Sequence, residues 1–156
     1  MAEHFDKVGG ARAQLAQAEA VKQFVLGGRA VFTLVSKRTG TRFTYRVTQP
    51  PAERPTAPPP PHFVGLLRGP DNTNDYAYIG AIFGDAEHVK HTRASKVSPD
   101  APSFKAIDWL WASLSRGTLP ETVEFWHEGR CCRCGRALTT PESVAAGIGP
   151  VCGGRE

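Results

Sequence analysis

The four cysteines of this chain, Cys131, Cys132, Cys134 and Cys152, all fall within its last 26 residues. That crowding constrains the fold more than any other feature. A secreted disulfide scaffold spreads its cysteines through the sequence, whereas a terminal cluster behind a charged start (Met1-Ala2-Glu3-His4-Phe5-Asp6-Lys7) reads as a metal site in the reducing cytoplasm. Cys131-x2-Cys134 has the spacing of a knuckle, in which two thiolates reach one ion while the backbone between them turns, and Gly135 eases that turn. The ion this chemistry implies is Zn2+. A structural zinc takes four ligands; Cys152 lies outside the knuckle, and His127 precedes it by four residues. His127, Cys131, Cys134 and Cys152 together make a closed Cys3His set. Cys132 competes with His127 for the fourth place. Adjacent residues rarely face one ion, so Cys132 is expected to be a bystander thiol.

The segment between the knuckle and Cys152 fits such a closure. Thr140 can cap a short helix that starts at Pro141 and ends at Gly147, after which Ile148-Gly149-Pro150 turns the chain back. Three thiolates and a filled coordination shell weaken Lewis acidity, so the zinc is expected to be structural. Glu128 and Glu142 are nearby carboxylates, but Glu142 sits where a helix's first turn favours an acid anyway.

The string H-x3-C-x2-C-G-R-x-L-T-x-P-E-S-x3-G-I-G-P-x-C, residues 127–152, resembles the signature of a family of small uncharacterised proteins from phages, prophages and actinobacterial-type genomes. Its matching positions are His127, Cys131, Cys134-Gly135-Arg136, Leu138-Thr139, Pro141-Glu142-Ser143, Gly147 to Pro150, and Cys152. The segments FTLVSKRTGTRFTYRV and GPDNTNDYAYIG are also similar to longer members. The resemblance implies zinc on those four ligands and a mobile-element setting, with Cys132 as a bystander. It implies no activity.

The rest of the chain reads as ordinary globular sequence, 40% hydrophobic and 22% charged, with no apolar run near the roughly 20 residues of a membrane span. Residues 1–10 read as a mobile lead-in, and 11–26 as a helix stopped by Gly27-Gly28. Strands are expected at 29–37 and 41–48, joined around Thr39-Gly40, and at 62–68 after seven prolines within 50–61 that exclude helix and central strand. That proline-rich stretch reads as an exposed connector. Gly69-Pro70-Asp71-Asn72 is a turn, 76–83 is apolar on both faces like a central strand, and 87–95 is a candidate further strand. Pro102 then opens a helix whose face is Phe104, Ile107, Leu110, Trp111 and Leu114, ended by Gly117, with Trp109 off that face. The expected fold is α+β: a small antiparallel sheet of about five strands flanked by helices over 1–120, with a zinc-knuckle appendage at 121–156.

Residues 29–49 contain five basic side chains and no acid. Pairing Lys37 with Arg42, Val35 with Thr44 and Thr33 with Arg46 puts Phe32, Leu34, Phe43, Tyr45 and Val47 on a core face. Lys37, Arg42 and Arg46 then lie on the other face, with Arg38 at the tip. Such a face is either a solubilising surface or a contact for a polyanion. Arg130, Arg133 and Arg136 decorate the knuckle, and His88, Lys90, His91, Arg93 and Lys96 form a third basic group.

The leading expectation is a non-enzymatic, zinc-stabilised protein that contacts nucleic acid through Lys37, Arg38, Arg42, Arg46, Arg133 and Arg136. The alternative is a mobile-element protein that binds and modulates a host protein complex, such as a defence system. No nucleophile–base pair or phosphate-binding loop supports an enzyme or a small-molecule substrate, and nothing indicates a membrane.

Overall fold

In RAVFTLVS and RFTYRVT, large apolar side chains alternate with polar ones, and a hairpin built from them must bury one face. Its two strands are inner members of a six-stranded, wholly antiparallel sheet in the computed structural model, which describes residues 5–6, 10–11, 13–71, 74–84 and 86–135. In chain order the elements are β1 (Phe5–Asp6), β2 (Gly10–Ala11), β3 (Ala13–Leu15), α1 (Ala18–Val25), β4 (Arg29–Ser36) and β5 (Arg42–Thr48). There follow β6 (His62–Leu67), β7 (Tyr76–Ile82), α2 (Pro102–Ser115) and β8 (Val123–His127). The sheet order is β3-β8-β4-β5-β6-β7, and β1 and β2 form a separate two-stranded ribbon within the expected lead-in.

Both helices lie on one face of the sheet. Phe24 of α1 meets Phe32 and Phe125 edge-on, at 6.5 and 5.7 Å between ring centroids, and stacks on His127 at 5.7 Å. From α2, the Ser103 carbonyl accepts a 2.7 Å hydrogen bond from the Tyr45 hydroxyl. Burial pushes that phenol well above its ordinary pKa, so it stays a neutral donor. Phe32, Tyr45, Phe125 and His127 are fully buried. Phe104, Ile107, Leu110, Trp111 and Leu114 are buried as their helical spacing predicts, Pro102 opens α2, and Gly117 beyond its end has φ +82°. Among the described residues no helix covers the opposite face, and none is long and apolar enough to cross a membrane.

Four expectations change. The helix expected over 11–26 starts only at Ala18. Ala13 and Leu15 instead pair with His127 and Phe125 as β3, and burying Leu15 against the sheet outweighs the helical preference of its neighbours. The sheet has six strands because Val123–His127 inserts as β8 between β3 and β4, so the start of the expected appendage belongs to the main sheet. The apolar β7 is an edge strand; residues 86–97 cover its free side, with Ala81 and Lys90 exchanging bonds of 3.0 and 2.7 Å and Lys96 N–H reaching the Tyr78 carbonyl. The same segment does not become the strand expected at 87–95, because side chains take its backbone groups: Asp108 accepts from Val89 N–H, and Ser95 from Thr92 N–H.

The hairpin pairs Val35 with Arg42, Thr33 with Thr44 and Val31 with Arg46, two residues from the expected register. An even shift preserves which side chains share a face, so the expected core face survives. Residues 49–61 are mostly exposed connector without helix or strand, fastened where the Gln49 side-chain amide donates to the Pro60 carbonyl at 2.9 Å.

Candidate metal centre and basic face

The knuckle is built at the end of β8. After His127 the chain turns through Gly129, with φ +83°, and again at Gly135, with φ +80°. Both are left-handed positions that a side chain would strain. Gly135 N–H donates to the Cys131 carbonyl at 3.0 Å, closing the turn, and Arg133 N–H points at the Cys131 sulfur at 3.4 Å. An amide aimed at sulfur stabilises the thiolate that a metal requires. Cys131 is fully buried and Cys134 half-buried.

His127 presents its Nδ1 to Gly129 N–H at 2.9 Å. A neutral imidazole that accepts at Nδ1 carries its proton on Nε2, so the lone pair a metal would use is the one Gly129 engages. No group of three or more metal-capable side chains is assembled among the described residues; Cys152, Arg136 and the expected helix at 141–147 lie outside them. The donor types, thiolate sulfur and imidazole nitrogen, suit zinc.

Cys132 points elsewhere. It is 3% exposed within the hydrophobic core, and its carbonyl accepts the Arg29 N–H at 2.8 Å. Two arginines clasp the knuckle backbone. Arg29 donates to the Cys134 carbonyl at 3.2 Å and Arg130 to the Gly135 carbonyl at 2.9 Å. Arg130 and Arg29 thus hold the turn, whereas Arg133 is exposed and lines, with Arg29 and the proline connector, a groove of about 260 Å³.

Of the six predicted basic residues, Lys37, Arg38, Arg42 and Arg46 lie on the hairpin, Arg133 lies in the turn after β8, and Arg136 lies outside the described residues. Lys37 and Arg38 are exposed at the tip, Arg42 and Arg46 lie on the helix-free face, and Arg29 and Arg133 mark the far end. The eight residues of β4 separate the ends by about 23 Å. The third group, Lys90 to Lys96, sits on the segment beyond β7, with Lys90 over the Phe83 ring and His88 bonded to Asp108 at 3.0 Å. It does not join the hairpin.

Four residues of the helix-free face were not foreseen. The Arg46 guanidinium lies over the Tyr76 ring, 4.4 Å from its centroid, across Gly65 of the intervening strand. A Cβ at Gly65 would press on Tyr76 at 3.3 Å, so the missing side chain is what leaves room for the stack. Burial and the nearby Glu128 push the Tyr76 phenol up to about 12, Arg46 opposing. On the β8 side the face is acidic. Glu128, 5% exposed, accepts from Thr33 Oγ1 at 2.9 Å, and Glu124 stands opposite Val35 with its carboxylate taking the Trp126 indole N–H. A hairpin free of acids in sequence is therefore flanked by two in space. The alternation in VEFWH was the available signal, and reading Val123–His127 as a strand would have placed both.

Residues 124–156 match a family of unknown function (DUF6011). Neither curated proteins nor solved structures give a match.

Proposed function

We propose that this chain is a zinc-stapled, non-enzymatic domain that binds nucleic acid along its β4–β5 hairpin. The observation that carries the reading is the alignment of Lys37, Arg38, Arg42 and Arg46 along one hairpin, with the Arg46 guanidinium over the Tyr76 ring. Phosphates would pair with these cations, and Glu124 and Glu128 would confine the strand to the β5–β6 side by repulsion. Such contacts read charge and not sequence, so binding is salt-sensitive and weakly specific.

His127, Cys131, Cys134 and Cys152 would hold the ion, His127 Nδ1 giving up its bond from Gly129 N–H to do so, and the bound ion would supply a crosslink between the sheet and the tail. Support comes from the buried Cys131 with the Arg133 amide at its sulfur and from the packing of Cys132 within the hydrophobic core.

Fluorescence anisotropy with single- and double-stranded DNA and RNA at two salt concentrations tests the binding. Affinity should be micromolar or tighter at low salt and fall as salt rises. Binding weaker than tens of micromolar for every form at low salt would overturn the proposal.

A further inference from the structure

We infer that the groove between the hairpin tip and α2 is a subsite for one unpaired base of a nucleic-acid strand held by the hairpin. The inference rests on the proposed function and deepens it by naming single-stranded nucleic acid as the ligand.

Trp109 is 45% exposed, although the other large hydrophobic side chains of α2, Phe104, Ile107, Leu110, Trp111 and Leu114, are buried. It does not stand alone on a convex surface. Its side chain lines a groove of about 230 Å³ together with Leu34, Phe43 and Ala106, Arg38, and the hydroxyl residues Ser36 and Thr41. That volume is below the roughly 300–1,000 Å³ of whole-ligand pockets, so the groove accommodates a single planar group.

Charge selects which planar group. No carboxylate lines the groove, and its one charged residue is Arg38. Arg38 is at the hairpin tip beside Lys37. The groove lies on the helix side of the hairpin and Arg42 and Arg46 on the other, so a strand held by Arg42 and Arg46 would reach the groove by rounding the tip at Lys37 and Arg38. An aromatic side chain beside a guanidinium suits a base stacked on indole with its phosphate on arginine. A paired base presents only its edges and cannot enter. The ligand is therefore an unpaired nucleotide.

Oligothymidylate and an abasic oligonucleotide of the same length test this by anisotropy. Trp109→Ala should weaken oligothymidylate binding about 5- to 150-fold, the range of one lost stacking contact, and leave the abasic strand unchanged. Trp109→Phe, which keeps a ring, should recover most of the loss. Unchanged oligothymidylate binding in Trp109→Ala would overturn the subsite, as would an equal loss for both strands. Wild-type protein that binds the two equally would overturn it too, leaving the hairpin contact standing. Wild-type protein that binds neither would overturn the proposed function itself.

Discussion

A methyl group on Gly27 would sit 2.6 Å from both the carbonyl oxygen and the sulfur of Cys132. The glycine read in the sequence as a helix stop is equally the floor on which the knuckle rests, a role invisible in sequence because its partner comes from the other end of the chain. Gly27→Ala should cost about 1–3 kcal/mol in urea unfolding, the usual toll of overpacking. The same contact separates the cysteines by role. Cys132→Ser should retain about one zinc per chain by plasma emission analysis, whereas Cys134→Ser should lose it. Loss in Cys132→Ser together with retention in His127→Ala would refute the ligand assignment. His62 carries a different signature: its ring donates to the Leu26 carbonyl at 3.2 Å, and burial holds its pKa below 6.5. The fold prefers the neutral ring, so its contribution is present above pH 6.5 and is lost as pH falls below that value. His62→Gln should flatten the fall in Tm between neutral pH and about pH 5.

At the scale of elements, periodicity made most of the fold legible. The hairpin faces and the buried stripe of α2 follow from spacing alone, and a register error of two residues left both faces intact. Partners in space were not legible. The apolar β7 resembled a central strand because its free edge is covered by a segment that itself lacks strand character. The acids bordering the basic face came from a strand hidden in what read as a tail. For the candidate site, the turn at residues 131–135 was legible from Gly135 after Cys134, but the arginine clasp at its carbonyls was not, since Arg29 lies far upstream. If the hairpin binds a single strand, each phosphate contact adds about 0.7 to the slope of log affinity against log salt. The double variant Arg42→Ala/Arg46→Ala should therefore lower that slope by about 1.4, measured by anisotropy across a salt series. An unchanged slope would place the phosphates elsewhere.

For the whole molecule, the telling feature is that β8 lies between β3 and β4, pairing Leu15 and Leu34 on either side of Phe125. The strand that leads into the candidate metal centre is also the keystone of the sheet, and His127 belongs at once to the aromatic core around Phe24 and to the proposed ligand set. A fragment ending at residue 122 would deprive Phe24, Phe32 and Leu34 of Phe125, leave β3 without its partner and leave β4 paired on the β5 side alone. Its urea transition, followed by circular dichroism, should be non-cooperative, while the full chain unfolds in one step. A cooperative transition in the fragment would show that β8 is dispensable.

The position of β8 also sets a timetable for synthesis. Among the described residues β3 pairs with β8 and with no other strand, so residues 13–15 must wait, while more than a hundred further residues are made, for the segment that will hold them. The hairpin and β6–β7 can zip as they emerge, but the sheet closes only once Val123–His127 has cleared the ribosome exit. The knuckle cysteines follow within a few residues. Closure of the core and capture of an ion would then fall in the same late moment of the chain's birth, and a nascent chain stalled before residue 123 would present its open strand edges to the chaperones.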